Sequence, residues 1–276
     1  MSFFFIQMSD PQIGLFAHAY KKYKNPRVIE LLGKPPGDGF PETHLYQQAI
    51  DISNRLNPAF VVITGDLIQD PLNLDQYQEF TRISETLNEE IPMYLVPGNC
   101  DVGEQPTHNL IGLYRDRFGA DNYSFDYQDV HFLGLNSATI FDPLLVPNEW
   151  ENQKKFISMD LESAKNSKEI IAFMHHPLFG SSSDEEDGHF VLPRERRLFL
   201  LEQFEKYSVN TVFSGHWHRN NEASDGRLQV ITTSAVGFPL GDDPSGLRIV
   251  HIKDGVISHK YFGFDQVPER IDIEKI

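Results

Sequence analysis

The sequence predicts an α/β fold, and three observations predict it. Residues 3–96 alternate strand, helix, strand, helix, strand, which implies parallel strands joined by helical crossovers. The strand-like runs are short, apolar and bounded by Gly, Pro or Asp, as buried strands are. Five of them end in polar clusters, and open α/β sheets bind ligands outside the carboxyl ends of their strands.

In chain order, residues 3–8 form the first buried strand, bounded by Asp10-Pro11. Residues 14–40 read as an irregular insertion rich in Lys, Gly and Pro, either a lid or a solvated surface loop. Residues 41–57 carry Leu45, Ala49, Ile52 and Leu56 at helical spacing, with Pro41 or Thr43 as the start. A strand over 59–64 follows, then a helix over 74–88 with Tyr77, Phe80, Ile83 and Leu87 on one face, then a strand over 92–96. Further on come a helix (107–118), two strands turning at Gln128-Asp129 (122–127 and 130–136), a loop (138–147) and a helix (148–164). A strand (169–174), an acidic loop (180–188), a helix (193–207) and a strand (209–214) complete the alternating part. The remainder reads as strands alone, at 228–234, 247–252 and 256–262, punctuated by Gly, Asp and Pro.

Composition narrows the function classes. The chain has 276 residues, long enough for one large domain, and residues 1–276 are expected to form one, with the 14–40 insertion as a lid. The net charge of −16 argues against a duplex nucleic-acid or anionic-membrane binder. No apolar run approaches the roughly 20 residues a membrane span needs. The N-terminal Met1-Ser2-Phe3-Phe4 lacks a basic leader, and the single cysteine forms no intrachain disulfide, so the expected compartment is the cytoplasm.

The clusters themselves suggest a two-metal centre. Asp10 and Gln12 lie two apart past a strand, where alternate side chains share a face and a carboxylate and an amide oxygen can reach one cation. Gly65 permits close approach of the backbone, and the Asp66 carboxylate can bridge two cations. Asp70 is expected to cap the next segment or orient a ligand. Leu95-Val96-Pro97-Gly98-Asn99-Cys100-Asp101 reads as a strand end and tight turn that brings an amide, a thiol and a carboxylate together. Adjacent residues on a strand point oppositely, so one of His175 and His176 enters the site, and His175 is the expected one. His216 and His218, two apart after Gly215, can face one way. Oxygen and imidazole donors without thiolate suit Mn, Fe, Ni or Zn. Two such divalent or trivalent ions would reverse locally the repulsion of an anionic substrate by an acidic protein.

In the order Asp10-Pro11-Gln12, Gly65-Asp66, Gly98-Asn99-Cys100-Asp101, His175-His176-Pro177 and Gly215-His216-Trp217-His218, the motifs resemble the calcineurin-like metallophosphoesterase superfamily. D-P-Q-I-G-L, G-D-L-I-Q-D, F-S-G-H-W-H-R-N and D-P-S-G-L-R are similar to the narrower group typified by calcineurin-like phosphoesterase domain-containing protein 1. The resemblance implies a four-layer α/β/β/α sandwich. It implies one metal on Asp10, Gln12, Asp66 and His218 and another on Asp66, Asn99, His175 and His216, with Asp66 bridging. It implies Asn99, Cys100 and Asp101 as the catalytic stretch, and a metal-bridging hydroxide cleaving a phosphomonoester or phosphodiester of a small molecule or phosphoprotein.

Two departures matter. Gln12 stands where the superfamily has histidine. Cys100 stands where both the superfamily and the narrower group have a histidine that protonates the leaving group or steadies the transition state, and a thiol is a weak general acid near neutrality. Cys100 is therefore expected to favour activated esters or diesters. The alternatives are a cyclic-nucleotide phosphodiesterase, which needs a base-stacking pocket, and a catalytically weak relative that binds phosphate. The basic stretch Lys21 to Lys34 is placed to guide an anion; the acidic stretch Asp184 to Asp187 either meets a basic partner or is solvated.

Overall fold

The computed structural model describes residues 2–37 and 39–272. Met1 of the N-terminal stretch, Asp38 of the insertion and residues 273–276 of the expected domain lie outside the described residues. The first half runs β1 (Ser2–Met8), α1 (Leu15–Tyr23), α2 (Pro26–Leu32), α3 (Glu42–Leu56), β2 (Val61–Thr64), α4 (Leu74–Ser84), β3 (Met93–Val96), α5 (Asn99–Val102) and α6 (His108–Phe118). The second runs β4 (Tyr123–Tyr127), β5 (Val130–Leu135), α7 (Ser137–Phe141), α8 (Pro147–Ala164), β6 (Glu169–Met174), α9 (Arg194–Tyr207), β7 (Val209–Ser214), β8 (Asn221–Asp225), β9 (Leu228–Thr232), β10 (Gly246–Lys253) and β11 (Val256–Gly263).

The strands form two sheets, ordered β11-β10-β1-β2-β3 and β4-β5-β6-β7-β9-β8. Side-chain alternation along β1 shows how they stack. Phe4, Ile6 and Met8 face outward onto Tyr46 and Ile50 of α3 and Phe80 and Ile83 of α4. Phe3 and Phe5 face inward onto Phe132, Phe173 and Phe213 of the second sheet. The Phe5 ring meets those three edge-on at 5.8, 5.7 and 5.9 Å. The outer face of the second sheet buries Leu133, Ala172 and Val212 against Ile157 and Leu161 of α8 and Leu200 and Phe204 of α9. Helix, sheet, sheet and helix thus form four layers, the architecture the resemblance implies.

Within the first sheet β1, β2 and β3 are parallel; within the second β5, β6, β7 and β9 are parallel. Their carboxyl ends meet at one edge, where His175 Nδ1, past β6, lies 2.8 Å from the Thr64 carbonyl at the end of β2. The five polar clusters follow β1, β2, β3, β6 and β7.

The structure departs from the sequence reading in a few places. The 14–40 insertion is not irregular, because it holds α1 and α2. Helix α1 has Gly14 at its N-cap without a capping side chain, and tertiary contact stabilises it: Phe16, Ala19 and Val28 pack on Phe238. The turn at Asn99 is a one-turn helix, and the expected 138–147 loop overlaps α7. The first of the expected C-terminal strands is preceded by β8, whose polar Asn-Glu-Ala-Ser-Asp run shows no apolar alternation. The 228–234 strand stops at Thr232, and the 74–88 helix stops at Ser84.

Candidate metal centre

Ten non-glycine residues among those described have positive φ. Lys24, Asn57 and Ser208 close helices, and Gln128 and Asp254 lie between paired strands. The other five are Asp10 (52°), Gln12 (40°), Asp66 (50°), His216 (70°) and His218 (53°), all of them expected ligands. Each such conformation costs on the order of 1–3 kcal/mol and persists only where the surroundings enforce it. Here the loops pair past the strand ends: Asp10 N donates to Gly65 O (3.1 Å), Gln12 N to Asp66 O (2.9 Å) and Gly237 N to Asp10 O (3.0 Å). The 10/12 and 216/218 pairs therefore converge through left-handed corners, not through the pleat of an extended segment. Glycine is required beside them: a Cβ on Gly98 would strike the carboxylate and amide of Asp66, and one on Gly65 would strike the His175 ring.

The side chains converge as acceptors without donors. His175 Nδ1 faces the Thr64 carbonyl and His216 Nε2 the His189 carbonyl (3.2 Å), so those nitrogens carry the protons. The unprotonated His175 Nε2 then lies 3.2 Å from His216 Nδ1, 3.0 Å from Asn99 Oδ1 and 3.4 Å from Asp66 Oδ1. Three lone pairs with no proton to share meet there beside Asp66 Oδ1, whose single donor is Cys100 N (2.8 Å), an arrangement that a cation satisfies. A second convergence adjoins it. His218 donates from Nδ1 to the Phe238 carbonyl (2.6 Å) and turns Nε2 to within 3.3 Å of Asp10 Oδ1. Asp10 Oδ1 and Gln12 Oε1 are buried without a hydrogen-bond partner. Ligand atoms of Asp10, Asp66 and His218 all lie within 4.8 Å of one another. The donor set thus fits two hard or borderline cations with Asp66 between them, and backbone carbonyls hold the far side of each imidazole, as the outer shell of a metal site does.

Without an ion the ligands compensate one another: burial opposes charge on His218, but the Asp10 carboxylate outweighs it and raises the imidazole. Burial opposes the charge on Asp10, but His218 and His175 outweigh it and hold the carboxyl below its usual range. Burial pushes Asp66 up, and the neighbouring Asp10 charge adds to it. Burial, then the nearby His175, brings His216 down to about 3, leaving it a neutral ligand.

The 98–101 stretch divides its roles. Asn99 Nδ2 donates to Glu104 Oε1 (2.8 Å), which turns Oδ1 toward the histidines. Cys100 N donates to Asp66 Oδ1 (2.8 Å), and Gln12 Nε2 lies 3.1 Å from the Cys100 sulfur and 3.1 Å from Gln69 Oε1. Burial and then the Asp66 charge push the Cys100 thiol well up, so it stays protonated. Asp101 accepts from Gly98 N (2.8 Å), Leu67 N (2.9 Å) and Ile68 N (3.2 Å). It is buried and fastens the Asn99 turn to the Asp66 loop.

The other residues singled out in the sequence find simpler places. His176 bonds Ser137 Oγ (2.9 Å) with its ring packed 4.4 Å from that of His216, and Asp70 caps its own turn through Leu72 N (3.0 Å). In the acidic stretch Glu185 accepts from Gly180 N (2.7 Å), and Asp187 accepts from Arg194 N (2.6 Å), so these charges serve the loop itself.

A cleft of about 470 Å³ opens over the centre. His18, Lys22 and Tyr23 of α1 form one wall; Gln69, Glu104, His189, Phe190 and Phe238 line the rest. Sequence reading named none of His18, Glu104 or His189, because none follows a strand end. Trp217 is not in the wall; its Nε1 donates to Phe190 O (2.7 Å) and holds Phe190 there. A larger hollow of about 630 Å³ lies by Ser208–Asn210 and Asp225–Leu228, at the amino end of β7, away from these ligands.

The calcineurin-like phosphoesterase family matches residues 5–220. The zebrafish (Danio rerio) serine/threonine-protein phosphatase CPPED1 is 34% identical over 277 residues, 97% of this chain and 87% of that protein. The human protein of the same name is 34% identical over 278 residues, 97% and 86% of the two chains. Among solved structures, a dimetal phosphatase from Danio rerio superposes with a TM-score of 0.70 at 13% identity, covering 95% of this chain and 96% of that one.

Proposed function

The chain belongs to the calcineurin-like phosphoesterase family, and from that premise we propose that it hydrolyses phosphoesters with two metal ions. Asp10, Gln12, Asp66 and His218 would hold one ion, and Asp66, Asn99, His175 and His216 the other. One observation carries the reading: buried acceptors from both sheets meet with orphaned lone pairs, including Asp10 Oδ1 and Gln12 Oε1. The relatives' names, with phosphatase in each, agree with it. When bound, the ions supply an activated water and neutralise charge on the phosphoryl oxygens. Mn, Fe, Zn and Ni all suit the donor set.

The chain's own groups do the rest. Glu104 holds the Asn99 amide so that its oxygen faces the centre. Asp101 positions that turn through three backbone amides. Cys100 keeps its proton and is a weak donor to a leaving oxygen, so esters with good leaving groups, or diesters, are favoured over alkyl monoesters. Gln12 and Cys100 together support one second reading, a relative that binds phosphate and turns over slowly.

The test is hydrolysis of an aryl phosphate monoester, a bis-aryl diester and a phosphoserine peptide by metal-loaded protein, with Cys100→His alongside. Metal-dependent turnover is expected, with alkyl monoester turnover rising about 10-fold or more in Cys100→His. Metal binding without turnover of any ester would favour the second reading. Unchanged monoester turnover in Cys100→His would remove the role given to the thiol.

A further inference from the structure

Helix α1 presents one face to the cleft: Leu15, His18, Ala19, Lys22 and Tyr23, spaced three and four apart. Among the described residues lining the cleft Lys22 is the only lysine or arginine. Its ammonium rests over the Tyr23 ring at 4.9 Å, and among the described residues no carboxylate pairs with it. In a chain of net charge −16 this is an unusual place to leave a cation open to the substrate. A lysine in the last turn also favours the helix dipole, but Lys21 shares that position and does not line the cleft.

The helix has a fixed offset from the ligands. Leu15 N donates to Gln12 O (3.0 Å). Phe16 packs edge-on against Phe238 at 4.9 Å, and the Phe238 carbonyl orients His218. Lys22 lies seven residues beyond the helix start, about 10 Å along the axis.

We propose that Lys22, with His18 one turn before it, binds a second anionic group carried by the leaving group. Preferred substrates are then phosphoesters whose leaving group carries a carboxylate or a further phosphate within reach of the cleft wall that Lys22 occupies. This rests on the phosphohydrolase reading and specifies its substrate class. Burial, and next the Lys22 charge, outweigh the opposing Asp70 carboxylate and hold the His18 imidazole below its ordinary value, which favours a neutral hydrogen-bond donor beside the ammonium. A small dianionic phosphoester and an acidic phosphopeptide both supply the required chemistry.

The experiment uses the metal-loaded full chain with two substrate pairs. One is an aryl phosphate with and without a carboxylate on its leaving group. The other is a phosphoserine peptide with glutamate or glutamine flanks. The readout is the ratio of kcat/KM for the anionic member to that for the neutral member. Lys22→Ala is expected to lower the ratio about fivefold, the scale of an exposed ion pair. Lys22→Glu is expected to lower it further, and Lys22→Arg to restore it. The pair that responds identifies the source. A ratio within about twofold of wild type in both Lys22→Ala and Lys22→Glu, for both pairs, overturns the subsite. Non-hydrolysable phosphonates of the same pairs, measured by calorimetry, separate the two claims. Lys22-dependent preference in binding without turnover contradicts the hydrolase reading alone, whereas turnover without that preference contradicts the subsite alone.

Discussion

At the scale of single residues, the centre is a set of acceptors held in conformations the chain would not otherwise adopt. The chemical types were legible in the sequence because strand ends followed by Asp, Asn and His are few. The reason they converge was not, since five left-handed residues, not pleat alternation, aim them. The proton state of Cys100 and the bracing role of Asp101 depend on burial and on amides from other loops, which no local pattern records. Glu42 was invisible for the same reason. It sits under the start of α1, where one carboxylate oxygen accepts from Phe16 N and the other is buried without a partner. Burial raises its carboxyl from an ordinary 4.5 to about 7. Between those values the folded chain keeps a proton that the unfolded chain has released, so this group's contribution to stability falls as pH rises through the window and is level above it. Glu42→Gln mimics the protonated form and removes the slope. The melting temperature of the variant relative to wild type is therefore expected to rise from about pH 5 to about pH 8; parallel curves would refute the assignment.

At the scale of elements, the insertion shows where sequence reading stops. Its Lys, Gly and Pro content described a loop, yet Asn25 caps α2 through Arg27 N with Pro26 at the first turn, a start signal that could have been read. Helix α1 offers no such signal: its cap is Gly14, and what stabilises it is the apolar contact of Phe16 and Ala19 with Phe238, far away in sequence. Phe16→Ala removes an almost fully buried ring. It is expected to cost about 3–5 kcal/mol where the helix packs, less what relaxation recovers. Hydrogen exchange should quicken across α1, and KM should rise more than kcat falls, because the wall of the cleft loosens while the ligands stay in place. Unchanged exchange in α1 would mean that Phe238 does not hold the helix.

At the scale of the whole molecule, the two sheets contribute different chemistry to one edge. The first supplies Asp10, Gln12, Asp66 and Asn99; the second supplies His175, His216 and His218. The α/β class was legible from alternation of elements. Strand partnership was not, because β9 and β10 are neighbours in sequence yet belong to different sheets, with β10 pairing to β1 through Phe5 and Val250. Only the resemblance pointed to four layers, and the inward and outward faces of β1 account for them physically. A phenylalanine-rich interface keeps the sheets in register, so the ligand edge is preorganised by packing on both sides. In the proposed centre Asp66 is the one carboxylate shared by both cations. The most direct test is the metal content of purified wild-type protein and of Asp66→Asn, after loading with Mn and removal of free ion. The account expects two ions per chain in the wild type and loss of both, with loss of phosphoester hydrolysis, in the variant. Two ions retained by Asp66→Asn, or hydrolysis by wild-type protein stripped of metal, would contradict it.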